Sequence, residues 1–178
     1  MRKLEDRMTN TAQRHGFTVV ELMVTLAIAA VLIGYALPAF NGFVIQRSMS
    51  AKVNDFVLAI NYARSEAAKL GGTVSVQAVD ESDTDNEWGP GYCVVVGNPG
   101  DCDGAVLRRF SASANMTFDA TGAFDTLGTL SFNSRGLLTP NAVGTLQLCS
   151  DDVNQDPGRI IGISLIGRTT SSELVCNP

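Results

Sequence analysis

The chain has 178 residues, 45% of them hydrophobic and only 17% charged, with a net charge of −5. That length suits one helix plus one modest globular domain and excludes a two-domain layout, while the acidic balance disfavours non-specific binding of nucleic acid. Four cysteines and a single histidine, His15, narrow the chemistry further.

Residues 1–16 are polar and net basic, with Arg2, Lys3, Arg7 and Arg14 against Glu5 and Asp6. By the positive-inside rule such a segment keeps its end of the chain in the cytoplasm. An apolar run then extends from Phe17 to Phe40, and its single charge is Glu21. At the centre of a membrane-spanning helix a carboxylate costs about 2.5–3.5 kcal/mol on insertion scales, so this one needs a partner. No alanine-rich cleavage site follows the run, so any cut falls before it and leaves the apolar segment on the mature protein. Loss of residues 1–16 would remove four basic and two acidic residues and leave a net charge of about −7.

Arg14-His15-Gly16 followed by Phe17-Thr18-Val19-Val20-Glu21-Leu22-Met23-Val24 resembles the class III signal of type IV prepilins and pseudopilins. The resemblance implies that a membrane aspartyl prepilin peptidase cuts between Gly16 and Phe17 and methylates the new amino group of Phe17. It also implies that Pro38 is the proline that kinks or loosens the first helix in an assembled filament. The chemistry of these residues agrees with that role. Gly16 has no side chain to obstruct an extended backbone in a protease cleft, and the amine of Phe17 stays cationic even when methylated. In a filament, the amine of one subunit can meet Glu21 of its neighbour, turning a charge costly in lipid into a register-setting ion pair. The plain alternative is a single-span anchor with a tolerated Glu.

Beyond Pro38 the pattern becomes amphipathic. Met49, Val53, Phe56, Ile60, Ala63, Ala67 and Leu70 recur at alternating four- and three-residue steps, with Arg47, Lys52, Asn54, Asp55, Asn61, Arg64 and Lys69 mostly off that stripe. Gly71-Gly72 ends the helix. From residue 73 the period changes to two. Residues 73–79 place Val74, Val76 and Ala78 on one face and Thr73, Ser75 and Gln77 on the other. Further short strands are expected at 92–96, 105–110, 115–118, 129–133, 145–149 and 159–166, with turns at 97–100, 134–136 and Gly167-Arg168. The predicted fold is α+β: a long N-terminal helix, membrane-spanning in its first half and amphipathic in its second, packed on an antiparallel sheet. The corresponding segments are a leader (1–16), a transmembrane and assembly half-helix (17–40), an amphipathic half-helix (41–72) and a globular sheet domain (73–178).

Ser131-Phe132-Asn133-Ser134-Arg135-Gly136, Gly144-Thr145-Leu146-Gln147-Leu148, and Gly158 to Ser164 with Gly167-Arg168 are similar to the shared domain of the GspH, FimT and FimU group of pseudopilins and minor pilins. Tyr62-Ala63-Arg64-Ser65-Glu66-Ala67 resembles that group as well. These are strand-turn-strand patterns, informative about fold and less so about chemistry.

The cysteines, Cys93, Cys102, Cys149 and Cys176, all lie beyond the apolar run, and an even number in an exported domain reads as disulfides. Four cysteines allow three pairings. Cys93 with Cys102, closing the turn at 97–100, and Cys149 with Cys176, tying down the tail, is the favoured set. The shorter loop is worth about 2–3 kcal/mol in the chain-entropy model and the longer one somewhat more. No C-x-x-C spacing supports zinc, and His15 would leave with the leader, so no imidazole remains for a Ser-His-Asp or Cys-His arrangement. No Gly-rich loop opens a helix to cradle phosphate, and the acids between 80 and 87, with Asp151 and Asp152, read as solvated loop charges. Asp152, Asn154 and Asp156 are spaced as in a calcium loop, yet the glycine falls one place late and no bidentate Glu follows, so a surface turn without metal is expected. Neither an enzyme nor a cofactor is indicated.

The function implied is that of a structural subunit: a minor type IV pilin in the tip or priming complex of a pilus, supporting twitching motility or adhesion. The implied partners are the prepilin peptidase, other major and minor pilins, and the inner-membrane assembly platform, with the globular part periplasmic before assembly. A type II secretion pseudopilin is the sibling alternative. The other alternative is a DNA-binding, FimT-like pilin for natural transformation, with Arg159 and Arg168 as candidate phosphate contacts and Arg135 near them. Two arginines flanking an apolar strand make a poor phosphate footprint, and duplex binding no tighter than the non-specific range of about 10⁻⁴–10⁻⁶ M is expected.

Overall fold

The computed structural model describes residues 16–80, 86–113, 115–125, 127–139, 143–151 and 157–176. The leader through His15 and the 152–156 loop lie outside the described residues. The chain divides into two compact units, one ending at Asn41 and the other running from Gly42.

A single helix, α1, spans Val19–Leu70 and contributes to both units. Thr18 caps it: the Thr18 hydroxyl accepts the amide N–H of Glu21 at 3.2 Å, and its carbonyl accepts that of Leu22 at 3.1 Å. In the first unit almost every described side chain is exposed, and the helix is long and apolar enough to cross a membrane. The other end closes on the Gly71-Gly72 stop. Gly71 adopts a left-handed backbone (φ 63°) and Gly72 donates to the Ala67 carbonyl at 3.2 Å, the six-to-one bond of a Schellman motif.

In the second unit the amphipathic stripe is buried as its periodicity predicts, from Met49 through Val53, Phe56, Ile60 and Ala63 to Ala67. Leu70 departs from that expectation at 54% exposure. It is the last helical residue, and the left-handed turn at Gly71 leads the chain away before anything covers it.

The expected antiparallel sheet is present as two. Strands β1 (Val74–Ala78), β2 (Gly91–Val96), β3 (Val106–Ser111), β5 (Thr129–Phe132) and β6 (Leu138–Thr139) form a five-stranded sheet in the order β3-β2-β1-β5-β6. Strands β4 (Met116–Gly122), β7 (Gly144–Ser150), β8 (Pro157–Ile163) and β9 (Thr169–Val175) form a four-stranded sheet in the order β4-β7-β8-β9. The sheets are tied in two places. The Trp88 amide donates to the Phe118 carbonyl of β4 at 3.0 Å, and the Leu138 amide of β6 donates to Leu165, in the turn after β8, at 3.1 Å.

Several strands differ from the sequence expectation: β6, only two residues long, is too short to show an alternation and is not among the expected strands, and β4 runs past residue 118 to Gly122. The strand expected over 159–166 ends at Ile163, because Ser164 and Arg168 close a turn in which Gly167 donates to the Ser164 carbonyl at 2.7 Å. Leu165 and Ile166 are therefore exposed turn residues, while Ile161 and Ile163 are buried. Strand β9 was not expected: its Thr-Thr-Ser-Ser-Glu run is polar on both faces, and it forms the edge of its sheet.

Strand β1 is buried on both faces, so Ser75 and Gln77 are not on a solvent face. A covering loop explains this. The β2–β3 connection folds over the sheet, pinned by the Cys93–Cys102 disulfide, and forms a small second core of Cys93, Val95 and Cys102. Beneath it Ser75 bonds to Ser131 (2.8 Å) and donates to the Gly97 carbonyl, while Gln77 donates to Gly128 (3.3 Å) and accepts from Thr129. The side chains of Ser75 and Gln77 thus find the partners that burial requires.

The main core centres on Phe56 of α1. Its ring meets Trp88, Tyr92 and Phe118 edge-on at 5.3, 5.2 and 5.0 Å, so one helical side chain touches a strand of each sheet and the segment joining them. Edge-to-face pairs contribute about 0.5–1.5 kcal/mol each beyond area burial. Burial pushes the Tyr92 hydroxyl well above the ordinary tyrosine range, and the charge of Asp55 adds to that.

The second disulfide, Cys149–Cys176, joins β7 to the residue following β9. It must pass over β8, where Gly158 stands opposite Cys149. A Cβ at Gly158 would lie 2.2 Å from the Cys176 sulfur. Absence of a side chain there is what lets the tail cross the sheet.

Candidate functional site: the N-terminal segment and the arginine turns

The residues singled out by the sequence fall in two places. At the N-terminus Gly16, Phe17 and Thr18 precede the helix, and all are exposed, Phe17 at 81%. The Gly16–Phe17 bond therefore lies in non-helical chain immediately before a capped helix. The cap is what keeps it there: with Thr18 at the N-cap, Glu21 is the third helical residue, and Thr18-Val19-Val20-Glu21 has the spacing of a capping box. A carboxylate in the first turn also faces the positive end of the helix dipole, which contributes about 0.3–1 kcal/mol at exposed sites. The signal for this cap is the Thr-x-x-Glu pattern of residues 18–21 in the sequence. Pro38 lies within α1, which continues through it to Leu70.

Arg159 and Arg168, the candidate DNA contacts, are not brought together. Arg159 lies in β8 and forms an ion pair with Glu173 of β9 at 3.5 Å. Arg168 sits exposed in the turn between β8 and β9, beyond the far end of the strand. Its neighbour is instead the 134–136 turn. Arg64, from the helix motif noted above, donates to the carbonyls of Gly136 and Gly167, both at 3.2 Å. One half-buried guanidinium thereby holds the two arginine-bearing turns side by side, with Arg135 and Arg168 exposed on them. Nothing local in the sequence signals this role of Arg64, because the carbonyls it binds lie far along the chain.

Glu87 corrects another expectation. Far from being a solvated loop acid, it is 1% exposed, and its Oε2 accepts the Ala120 amide at 3.4 Å. Asn86 beside it accepts the Phe118 amide at 2.7 Å. This stretch lies along β4 as an extra rung, and that position buries the carboxyl. Among the described residues no group of three or more His, Cys, Asp or Glu side chains is placed to hold a metal ion. All four cysteines are consumed in the two disulfides.

The family described as Type II transport protein GspH matches residues 52–167, and the prokaryotic N-terminal methylation motif matches residues 11–37. Comparison with curated protein sequences returns no match. Among solved structures the chain is similar to the type IV minor pilin FimU of Pseudomonas aeruginosa. One crystal form gives 26% identity and a TM-score of 0.60 over 73% of this chain and 92% of that one. A second form gives 27% and 0.56 over 69% and 91%. The minor pseudopilin EpsH of the Vibrio cholerae type 2 secretion system aligns at 14% identity and a TM-score of 0.48, over 72% of this chain and 97% of that one.

Proposed function

The chain belongs to the Type II transport protein GspH family, a family of structural pilins and pseudopilins, and from that premise we propose that it serves as a minor pilin of a type IV pilus, in the tip or priming complex. The observation that carries this reading is the likeness of the chain to FimU together with a methylation motif on the apolar helix. The motif and the family imply processing by a prepilin peptidase and assembly into a pilus-like complex.

In this reading the peptidase cleaves between Gly16 and Phe17, where the chain is exposed and non-helical, and methylates the Phe17 amine. The mature chain waits in the inner membrane through residues 17–40, with the unit from Gly42 onward in the periplasm. Glu21 is the assembly residue. Exposed in the first helical turn, its carboxylate carries the insertion cost of a charge in lipid until the terminal amine of an incoming or neighbouring subunit neutralises it. Pro38 is the position at which the helix loosens as the subunit enters the filament. The second unit, held by its own core and two disulfides, needs no partner to fold and is free to offer its surface to other minor subunits.

The DNA-uptake alternative loses support from the position of Arg159, whose charge is already engaged by Glu173. The sibling reading, a secretion pseudopilin, differs in its outcome in the cell. Deletion of the gene, with complementation, should abolish surface pili and twitching while leaving exoprotein secretion intact. Normal piliation with lost secretion would assign the chain to a secretion system.

A further inference from the structure

From Leu22 through Gln46 the helix carries no charged side chain, and Arg47 is the first cation after that stretch. About 20 residues suffice to cross the hydrocarbon core, so the helix has ample length to bring Arg47 out of the far side. There the guanidinium stacks over the Phe43 ring, 4.9 Å from its centroid. Both side chains are exposed, Phe43 at 53%. Val44, Ile45 and Ser48 of the same turns line a cleft against Asn115, Met116, Ser150 and Asp151. At 100° per residue, Phe43 and Arg47 therefore lie on the side of the helix turned away from the sheets. Among the described residues no carboxylate lies within ion-pair distance of Arg47.

We propose that Phe43 and Arg47 form a membrane-interface anchor, with the ring among the upper acyl chains of the leaflet the helix leaves and the guanidinium on the phosphate of an anionic phospholipid. Tyrosine and tryptophan concentrate at this depth because each joins an apolar body to a polar tip. Phenylalanine has no such tip. The cation stacked on Phe43 supplies one, and long basic side chains reach toward headgroups in the same way. The anchor fixes how far the helix sits in the bilayer, and so the height of the globular unit above it before assembly. Its occupant is lipid because the pair continues directly from the apolar run and offers an exposed positive charge to a phosphate-rich surface.

The proposal rests on the reading of residues 17–40 as a membrane span, and the test separates the two. The full chain is reconstituted into mixed phosphatidylcholine and phosphatidylglycerol vesicles whose lipids carry bromine either near the glycerol or near the chain ends. Native Trp88 is buried in the protein core, out of reach of such quenchers. Trp introduced as Phe43→Trp should be quenched chiefly by shallow bromine, and Leu32→Trp by deep bromine. At Phe43→Trp, brominated phosphatidylglycerol should compete about fivefold better than brominated phosphatidylcholine, the preference expected of one basic residue near the surface. Adding Arg47→Gln should bring that ratio to about one. Deep quenching at Leu32→Trp with no quenching at Phe43→Trp, or with a lipid ratio indifferent to Arg47→Gln, would overturn the anchor and leave the span standing. No quenching at either position would remove the span and the anchor together.

Discussion

The two units of this chain solve opposite problems. The second buries Phe56, Phe118, Phe132, Leu146 and Ile161 almost completely and closes its loops with two disulfides. The first leaves Leu22, Met23, Leu26, Val31, Leu32 and Ile33 more than half exposed and places a carboxylate at their head. A helix that is apolar on all sides gains nothing from water, so the first unit is completed only by what surrounds it, lipid or neighbouring helices. Stability is therefore internal to one unit and external to the other, and mutations in the two should fail in different ways.

The sharpest break is expected at the processing site. Gly16→Leu puts a branched side chain at the scissile bond and should leave only full-length protein in the membrane, seen as a single unshifted band beside an active peptidase. Mature-size product from this variant would contradict the assignment. Folding of the second unit should be untouched, and an unchanged melt of the detergent-solubilised chain would show the independence of the two regions.

The converse experiment strikes the core. Phe56→Ala removes the ring that joins both sheets, with an expected loss of about 3–5 kcal/mol, read by denaturant titration. Cleavage at Gly16 should continue in this variant. A loss below about 1 kcal/mol would mean that Phe56 is not the centre of the core.

The regions also differ in how plainly the sequence announced them. The apolar run, the lone Glu21, the alternating helical stripe and the Gly71-Gly72 stop are local patterns, and apart from Leu70 at the end of the stripe each stands in the structure where the residues placed it. What stayed hidden depends on contacts distant in sequence. Ser75 and Gln77 read as a solvent face because nothing local shows that a disulfide-closed loop covers them. Strand β9 has no apolar alternation to detect, since an edge strand with both faces in water needs none. Glu87 reads as a loop acid until β4 is seen beside it. Arg64 acquires its role only when two remote turns present their carbonyls.

A smaller effect should follow from the crossing of the tail over β8. Gly158→Ala puts a methyl group 2.2 Å from the Cys176 sulfur, well inside van der Waals contact. Alkylation without reductant should then label Cys149 and Cys176 while Cys93 and Cys102 stay protected, with a stability loss of about 2–4 kcal/mol. Complete protection of all four with an unchanged melting temperature would show that the tail takes another path.

The smallest effect concerns pH. Burial raises the Tyr92 hydroxyl above its unfolded value of about 10, so the folded unit disfavours the phenolate. Its contribution to stability is fully present below about pH 10 and declines as pH rises beyond that point. Tyr92→Phe should flatten this alkaline decline in denaturant titrations on either side of about pH 10. An equal decline in both proteins would place its origin elsewhere.

The contrast between a self-sufficient unit and one completed by its surroundings rests above all on Glu21. The most direct test expresses Glu21→Ala in cells and follows two quantities, the membrane-inserted fraction and the amount recovered with other pilins in sheared filaments. Removing the carboxylate lowers the cost of residence in lipid, so insertion should be unchanged or higher while recovery in filaments falls to background. Normal recovery of the variant in filaments would contradict the account, leaving Glu21 a tolerated acid in the first helical turn and nothing more.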